Sequence, residues 1–170
     1  TTITKRGSIN GLGYGGVVFV ENVSARLSFT NHSIVSRNTA CFTDDFIGVG
    51  EGGVIYLSSA SSVLISDCMF EENTASNSFG FGGALRAELS NISLIYCSFL
   101  FPIAGGDEGS GGVMSLSGTE LHISNSNFTG NHASITGIGF GGVIHMTKNS
   151  SCRMETTSFL KNQASRDGFV

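Results

Sequence analysis

The chain has 170 residues, a net charge of −4 and only 13% charged residues, about half the usual share for a soluble domain. That balance argues against a nucleic-acid partner, which calls for a basic face, and no apolar run approaches the roughly 20 residues of a membrane helix. Hydrophobic residues at 40% suffice for a core, while 24 glycines, one proline and no tryptophan disfavour helices and suit short strands joined by many turns.

Taken in order, the chain repeats itself. Gly-Gly pairs open at Gly15, Gly52, Gly82, Gly111 and Gly141, in steps of 37, 30, 29 and 30 residues. A near-constant period in this range marks a solenoid. Each pair begins a short alternating run that sets Val18 and Val20, Ile55 and Leu57, Leu85 and Ala87, Met114 and Leu116, or Ile144 and Met146 on one face. A second run does the same with Leu27 and Phe29, Val63 and Ile65, Ile92 and Leu94, Leu121 and Ile123, or Cys152 and Met154. Period two is the strand signature. An aromatic column follows, reading Val35, Phe70, Phe99, Phe128 and Phe159. Three residues on stand Asn38, Asn73, Pro102, Asn131 and Asn162, and two further on is alanine without exception: Ala40, Ala75, Ala104, Ala133 and Ala164.

Two or three strands per period leave no room for helices, and no single repeat can bury its own face. Stacking each on a copy about 4.8 Å away solves this. The expected fold is an all-β, right-handed parallel β-helix of about five to six coils, one domain over residues 1–170 or a block of a longer array. Phe70, Phe99, Phe128 and Phe159 should stack ring on ring. Asn73, Asn131 and Asn162 should form an amide ladder, which Pro102 interrupts, making its coil locally irregular. The alanine column marks a narrow part of the core. Length varies only between that column and the next Gly-Gly pair, over 41–51, 76–81, 105–110 and 134–140, so any binding belongs there.

The motifs Gly52-Gly53-Val54-Ile55 with Phe70-Glu71-Glu72-Asn73, Gly82-Gly83-Ala84-Leu85, Gly111-Gly112-Val113-Met114 with Phe128-Thr129-Gly130-Asn131, and Gly141-Gly142-Val143-Ile144 with Phe159-Leu160-Lys161-Asn162 resemble the repeat of chlamydial polymorphic outer membrane proteins. Similar repeats occur in other pectin-lyase-like β-helix surface proteins. The resemblance implies a surface-exposed passenger domain acting as an adhesin toward surface glycans or a host-cell receptor. Phe99 lacks its Asn, and no translocating barrel segment accompanies the repeats.

Chemistry is sparse. A polysaccharide lyase or hydrolase would need basic residues or several carboxylates on neighbouring coils of one face. The Lys and Arg residues form no column, and carboxylates cluster only at Asp44-Asp45 with Glu51, Glu71-Glu72 and Asp107-Glu108. No enzyme, cofactor or metal is expected. His32, His122, His132 and His145 fall at different phases of the repeat. Cys68 and Cys97 share one column in adjacent coils and are the candidate disulfide, Cys152 takes a core position, and Cys41 lies in a loop. Sequons occur at Asn22, Asn31, Asn91, Asn127 and Asn149. Asn22, Asn91 and Asn149 fall in the turn between the two runs, on one edge of the rod, where N-glycans would sit. Tyr14, Phe81, Phe140 and Phe169 beside the glycine pairs are the only aromatic stripe that could hold a sugar, and read first as corner rings packed on the next coil. Ile3 falls in the Phe phase, and Gly168-Phe169-Val170 matches Gly80-Phe81-Gly82. The expectation is therefore a piece of a longer array, or coils that stack end to end into a filament. Both readings make the protein structural, and together with the resemblance the expectation is a secreted or cell-surface structural or adhesive element. The runner-up reading is a carbohydrate-active or carbohydrate-binding β-helix.

Overall fold

In the computed structural model, residues 2–3, 6–9, 12–21, 26–42, 48–59 and 62–165 are described. They form 26 strands and no helix, and every pairing between strands is parallel. The fold is the expected β-solenoid with about 30 residues per turn. Each turn carries five short strands rather than two or three, so five sheets run along the rod.

The Phe sheet holds Thr2–Ile3, Ile34–Ser36, Met69–Glu71, Ser98–Leu100, Asn127–Thr129 and Ser158–Leu160. The Ala sheet holds Arg6–Ile9, Thr39–Phe42, Thr74–Ser76, Ile103–Gly105 and His132–Ser134. The Gly sheet follows with Leu12–Tyr14, Val49–Glu51, Phe79–Phe81, Glu108–Ser110 and Ile138–Phe140. The fourth sheet is the first alternating run, Val18–Glu21, Ile55–Ser58, Leu85–Glu88, Met114–Ser117 and Ile144–Thr147. The fifth is the second run, Arg26–Phe29, Ser62–Ser66, Asn91–Ile95, Glu120–Ser124 and Ser151–Glu155. Register is kept throughout, with Ile3 opposite Val35 as the phase requires.

In-register stacking puts like on like, and the core is a set of columns. Ile55, Leu57, Leu85, Ala87, Met114 and Leu116 are buried from one sheet, and Val63, Ile65, Ile92, Leu94, Leu121 and Ile123 from the next. Phe70, Phe99, Phe128 and Phe159 stack with ring centroids 4.9, 5.0 and 5.1 Å apart and planes within 14°. Each pair adds about 1 kcal/mol to the burial of its rings.

Three corners share one construction. A residue in the left-handed region turns the chain, as at Leu89 (φ 47°), Tyr96 (φ 54°) and Phe101 (φ 57°). At many of these corners the next side chain then donates to the carbonyl two residues before it. Ser90 Oγ reaches Glu88 O at 2.8 Å, Ser126 Oγ reaches Ser124 O at 2.9 Å, and Asn38 Nδ2 reaches Ser36 O at 3.1 Å. The same side chains bind coil to coil. The Asn38 amide donates to Asn73 Oδ1 at 3.0 Å while Asn73 Nδ2 donates to Val35 O at 2.9 Å. Likewise the Asn131 amide donates to Asn162 Oδ1 at 3.1 Å, and Asn162 Nδ2 to Phe128 O at 3.0 Å. These bonds are the expected ladder.

Pro102 departs from expectation. Its coil is regular, with Ile103 in register between Thr74 and His132. Among the described residues a left-handed residue precedes this position each time, at Arg37, Glu72, Phe101, Gly130 and Lys161, so proline's fixed φ meets an already sharp corner. The missing amide costs only the ladder rung. The His132 amide still reaches Pro102 O at 3.0 Å.

Candidate contact surface

The narrow part of the core lies where the Ala and Gly sheets meet. Behind each alanine stands a glycine two places before the first Gly of each pair, at Gly13, Gly50, Gly80, Gly109 and Gly139. The recurring motif is therefore Gly-x-Gly-Gly. A Cβ added at Gly50, Gly80 or Gly109 would lie 1.8, 1.6 or 1.5 Å from the carbonyl oxygen of Ala75, Ala104 or Ala133. The two sheets pack backbone on backbone. The alanine column was legible in the sequence; its glycine partner was hidden among 24 glycines.

The Gly strands thus have no side chain facing inward, and every side chain they carry points out. One outward column reads Leu12, Val49, Phe79, Glu108 and Ile138, and the other Tyr14, Glu51, Phe81, Ser110 and Phe140. At the next corner Gly52 (φ 65°) and its counterparts turn the chain in a conformation favoured by glycine. The corner is concave, because outward side chains of the fourth sheet touch those of the Gly sheet. Tyr14 lies 5.0 Å from Tyr56 and 5.8 Å from Phe19, and Phe19 stacks on Tyr56 at 5.3 Å. Phe140 stacks on His145 at 5.8 Å. Leu12, Tyr14, Phe19, Ile138 and Phe140 are all between 40 and 62% exposed.

Arg86 ties the middle of this face together. Its Nε donates to Glu51 Oε2 at 3.3 Å, Nη2 to Glu88 Oε1 at 2.6 Å and Nη1 to Ser115 Oγ at 3.0 Å, while the guanidinium sits 5.5 Å from the Phe81 ring centre. Burial pushes the Glu51 carboxyl above its ordinary value, against the pull of Arg86. Burial, and then Arg86, hold the His145 imidazole below its ordinary value. Tyr56 is raised, by burial first and then by Glu51 and Glu88.

Of the aromatic residues read as corner rings, Tyr14 and Phe140 do pack at the corner and stay exposed, Phe81 lies half-buried under Arg86, and Phe169 lies outside the described residues. Phe19, Tyr56 and His145 join them, brought there by the fold from the outward side of a strand.

The remaining sequence candidates disperse. Cys68 and Cys97, the candidate disulfide pair, stack in adjacent coils as free thiols. In-register stacking aims both side chains the same way, and each sulfur turns to its own corner. Cys68 Sγ reaches Ser66 O at 3.1 Å, and Cys97 Sγ reaches Ile95 O and Ile65 O at 3.3 Å. They occupy the corner position that Ser126 and Thr157 fill with hydroxyls making the same bond. Burial pushes the Cys97 thiol up to about 11. Cys41 is a buried member of the strand Thr39–Phe42, not a loop residue, and Cys152 packs half-buried on the core.

Asn31, Asn91, Asn127 and Asn149 are exposed, and Asn22 lies outside the described residues. Asn149 is in the turn as expected, whereas Asn91 is the first residue of a strand. Asn127 Oδ1 accepts from Ser158 Oγ at 2.6 Å. Asp44 and Asp45 are likewise outside the described residues. Asp107 accepts from Ser78 Oγ at 3.1 Å and Thr136 Oγ1 at 3.3 Å, so it braces two variable loops. Among the described residues no group of three or more His, Cys, Asp or Glu could hold a metal ion. Two shallow clefts of about 330 and 300 Å³, one beside Tyr96 and Cys68 and one beside Ile103 and Ile135, gather no comparable set of interacting side chains.

Comparisons with protein-family models, with curated proteins and with solved structures give no match for this chain.

Proposed function

We propose that the chain is a non-catalytic structural and adhesive β-solenoid, secreted or displayed at a cell surface, that holds its partner on the outward face of the Gly sheet. The observation that carries this reading is the set of apolar and aromatic side chains presented there. The backbone packing beneath the Gly strands requires nothing of them, and exposed patches of this kind mark contact sites. Glu51 and Glu88, two of the carboxylates on this face, are both engaged by Arg86, which favours binding over acid–base chemistry. Assembly along the axis belongs to the same reading. Glycans at Asn91 and Asn149 would stand off the edge between the fourth and fifth sheets and leave the Gly face clear.

The test is adhesion. Chain immobilised on beads should retain cells or matrix of its natural setting, and the double substitution Phe19→Ser, Phe140→Ser should abolish retention without changing the melting temperature. Equal retention by both would sink the proposal.

A further inference from the structure

The geometry points to the chemistry of the partner: we infer that the Gly-sheet face docks a basic, apolar polypeptide segment. This rests on the contact-surface reading above. The face comprises four outward columns, two on the Gly sheet and two on the fourth sheet, the latter headed by Phe19 and Glu21. Apolar groups occupy both ends. Leu12, Tyr14 and Phe19 lie at one, Ile138 and Phe140 at the other, about 19 Å apart at coil spacing. Its charged members are Glu21, Glu51, Glu88 and Glu108 against Arg86 alone. One positive against four negative charges leaves this face at −3, most of the chain's −4.

That combination selects among occupants. A second copy would bring like charge against like charge, which costs several kcal/mol at an interface. The whole face, roughly 400 Å² from the coil and residue spacings, is also about half the ~800 Å² per side of a standard stable interface. Acidic saccharides and anionic membranes meet the same repulsion. Neutral saccharides would use ring faces, yet the Phe19 and Tyr56 faces are turned toward each other along the column, with planes 12° apart. A segment carrying both Leu or Phe and Lys or Arg satisfies both features. Its apolar side chains cover the two aromatic ends. Its cations meet the carboxylates.

The test uses the intact chain and three labelled peptides read by fluorescence anisotropy: alternating Leu and Lys, the same with Glu for Lys, and the same with Ser for Leu. The Leu/Lys peptide should bind and the other two should not. Phe19→Ser with Phe140→Ser should weaken binding about tenfold or more, as should Glu21→Gln with Glu108→Gln. Affinity should fall as ionic strength rises from about 0.05 to about 0.5 M. All four positions are on the solvent side, and unchanged melting temperatures would confirm that the variants fold. Equal binding of the Leu/Glu peptide, binding indifferent to these substitutions, or preferential capture of a neutral tetrasaccharide or a second copy would each overturn the inference. Loss of bead adhesion in the Phe19/Phe140 variant without any Leu/Lys binding would leave the contact surface standing and remove only this partner.

Discussion

Single residues in this fold are tolerated or forbidden by what lies within one coil step. Gly109 is among the strictest cases. A Cβ there would overlap the Ala133 carbonyl oxygen, and neither backbone can retreat without breaking two ladders. Gly109→Ala should cost more than about 4 kcal/mol, at the severe end for a point change, and most of the chain should be unfolded in a urea titration. Cys97 is the opposite case. Its thiol does a hydroxyl's work at a corner, so Cys97→Ser should shift the unfolding midpoint by less than about 1 kcal/mol. Because burial raises the thiol to about 11, native protein at mildly alkaline pH should resist a disulfide reagent at Cys97, and unfolded protein should not. Rapid native labelling would show that the coil opens there.

At the scale of elements, the ladder and the Phe column can be altered independently. Phe99 is stacked on both sides and buried, so Phe99→Ala should cost about 3–5 kcal/mol. Pro102→Asn should restore the missing rung, because the backbone there is already regular and neighbouring coils show the required bonds. A gain of about 1 kcal/mol is expected, read as a higher melting temperature, and no gain would mean that the rung adds nothing. These elements were readable because each rests on a recurring residue type: Phe, Asn, Ala and the alternating core runs. The five-strand turn was not. Its corners depend on left-handed residues as different as Arg37, Glu72, Phe101, Gly130 and Lys161, and a backbone requirement met by any side chain leaves no column to read. One trace was present, the small polar column Ser33, Cys68, Cys97, Ser126 and Thr157 ahead of the Phe column. The contact surface was half legible. The variable segments pointed to it, and Tyr14, Phe81 and Phe140 were visible beside the glycine pairs. Phe19, Tyr56 and His145 reach it only once the concave corner brings a second sheet alongside.

The whole molecule carries a pH response through its contact surface. The folded His145 imidazole titrates below its unfolded value, so the unfolded chain binds the extra proton first. Its contribution to stability is complete above the unfolded pKa and is lost as pH falls through the folded one. Melting temperature should therefore decline from about pH 7.5 to about 5.5, and His145→Gln should flatten that decline. Glu51 acts in the reverse sense at lower pH: its folded carboxyl is raised, so its contribution is present below the unfolded pKa and lost as pH climbs through the folded one. The stacking order has a mechanical consequence as well. Every ladder joins a coil only to its immediate neighbours, so the inter-coil hydrogen bonds run along the rod and load applied between its two ends peels them one turn at a time. A single molecule stretched end to end should yield in a sawtooth. Each tooth should release about 30 residues, or roughly 100 Å of extended chain, making the rod a tether that lengthens by instalments before it lets go.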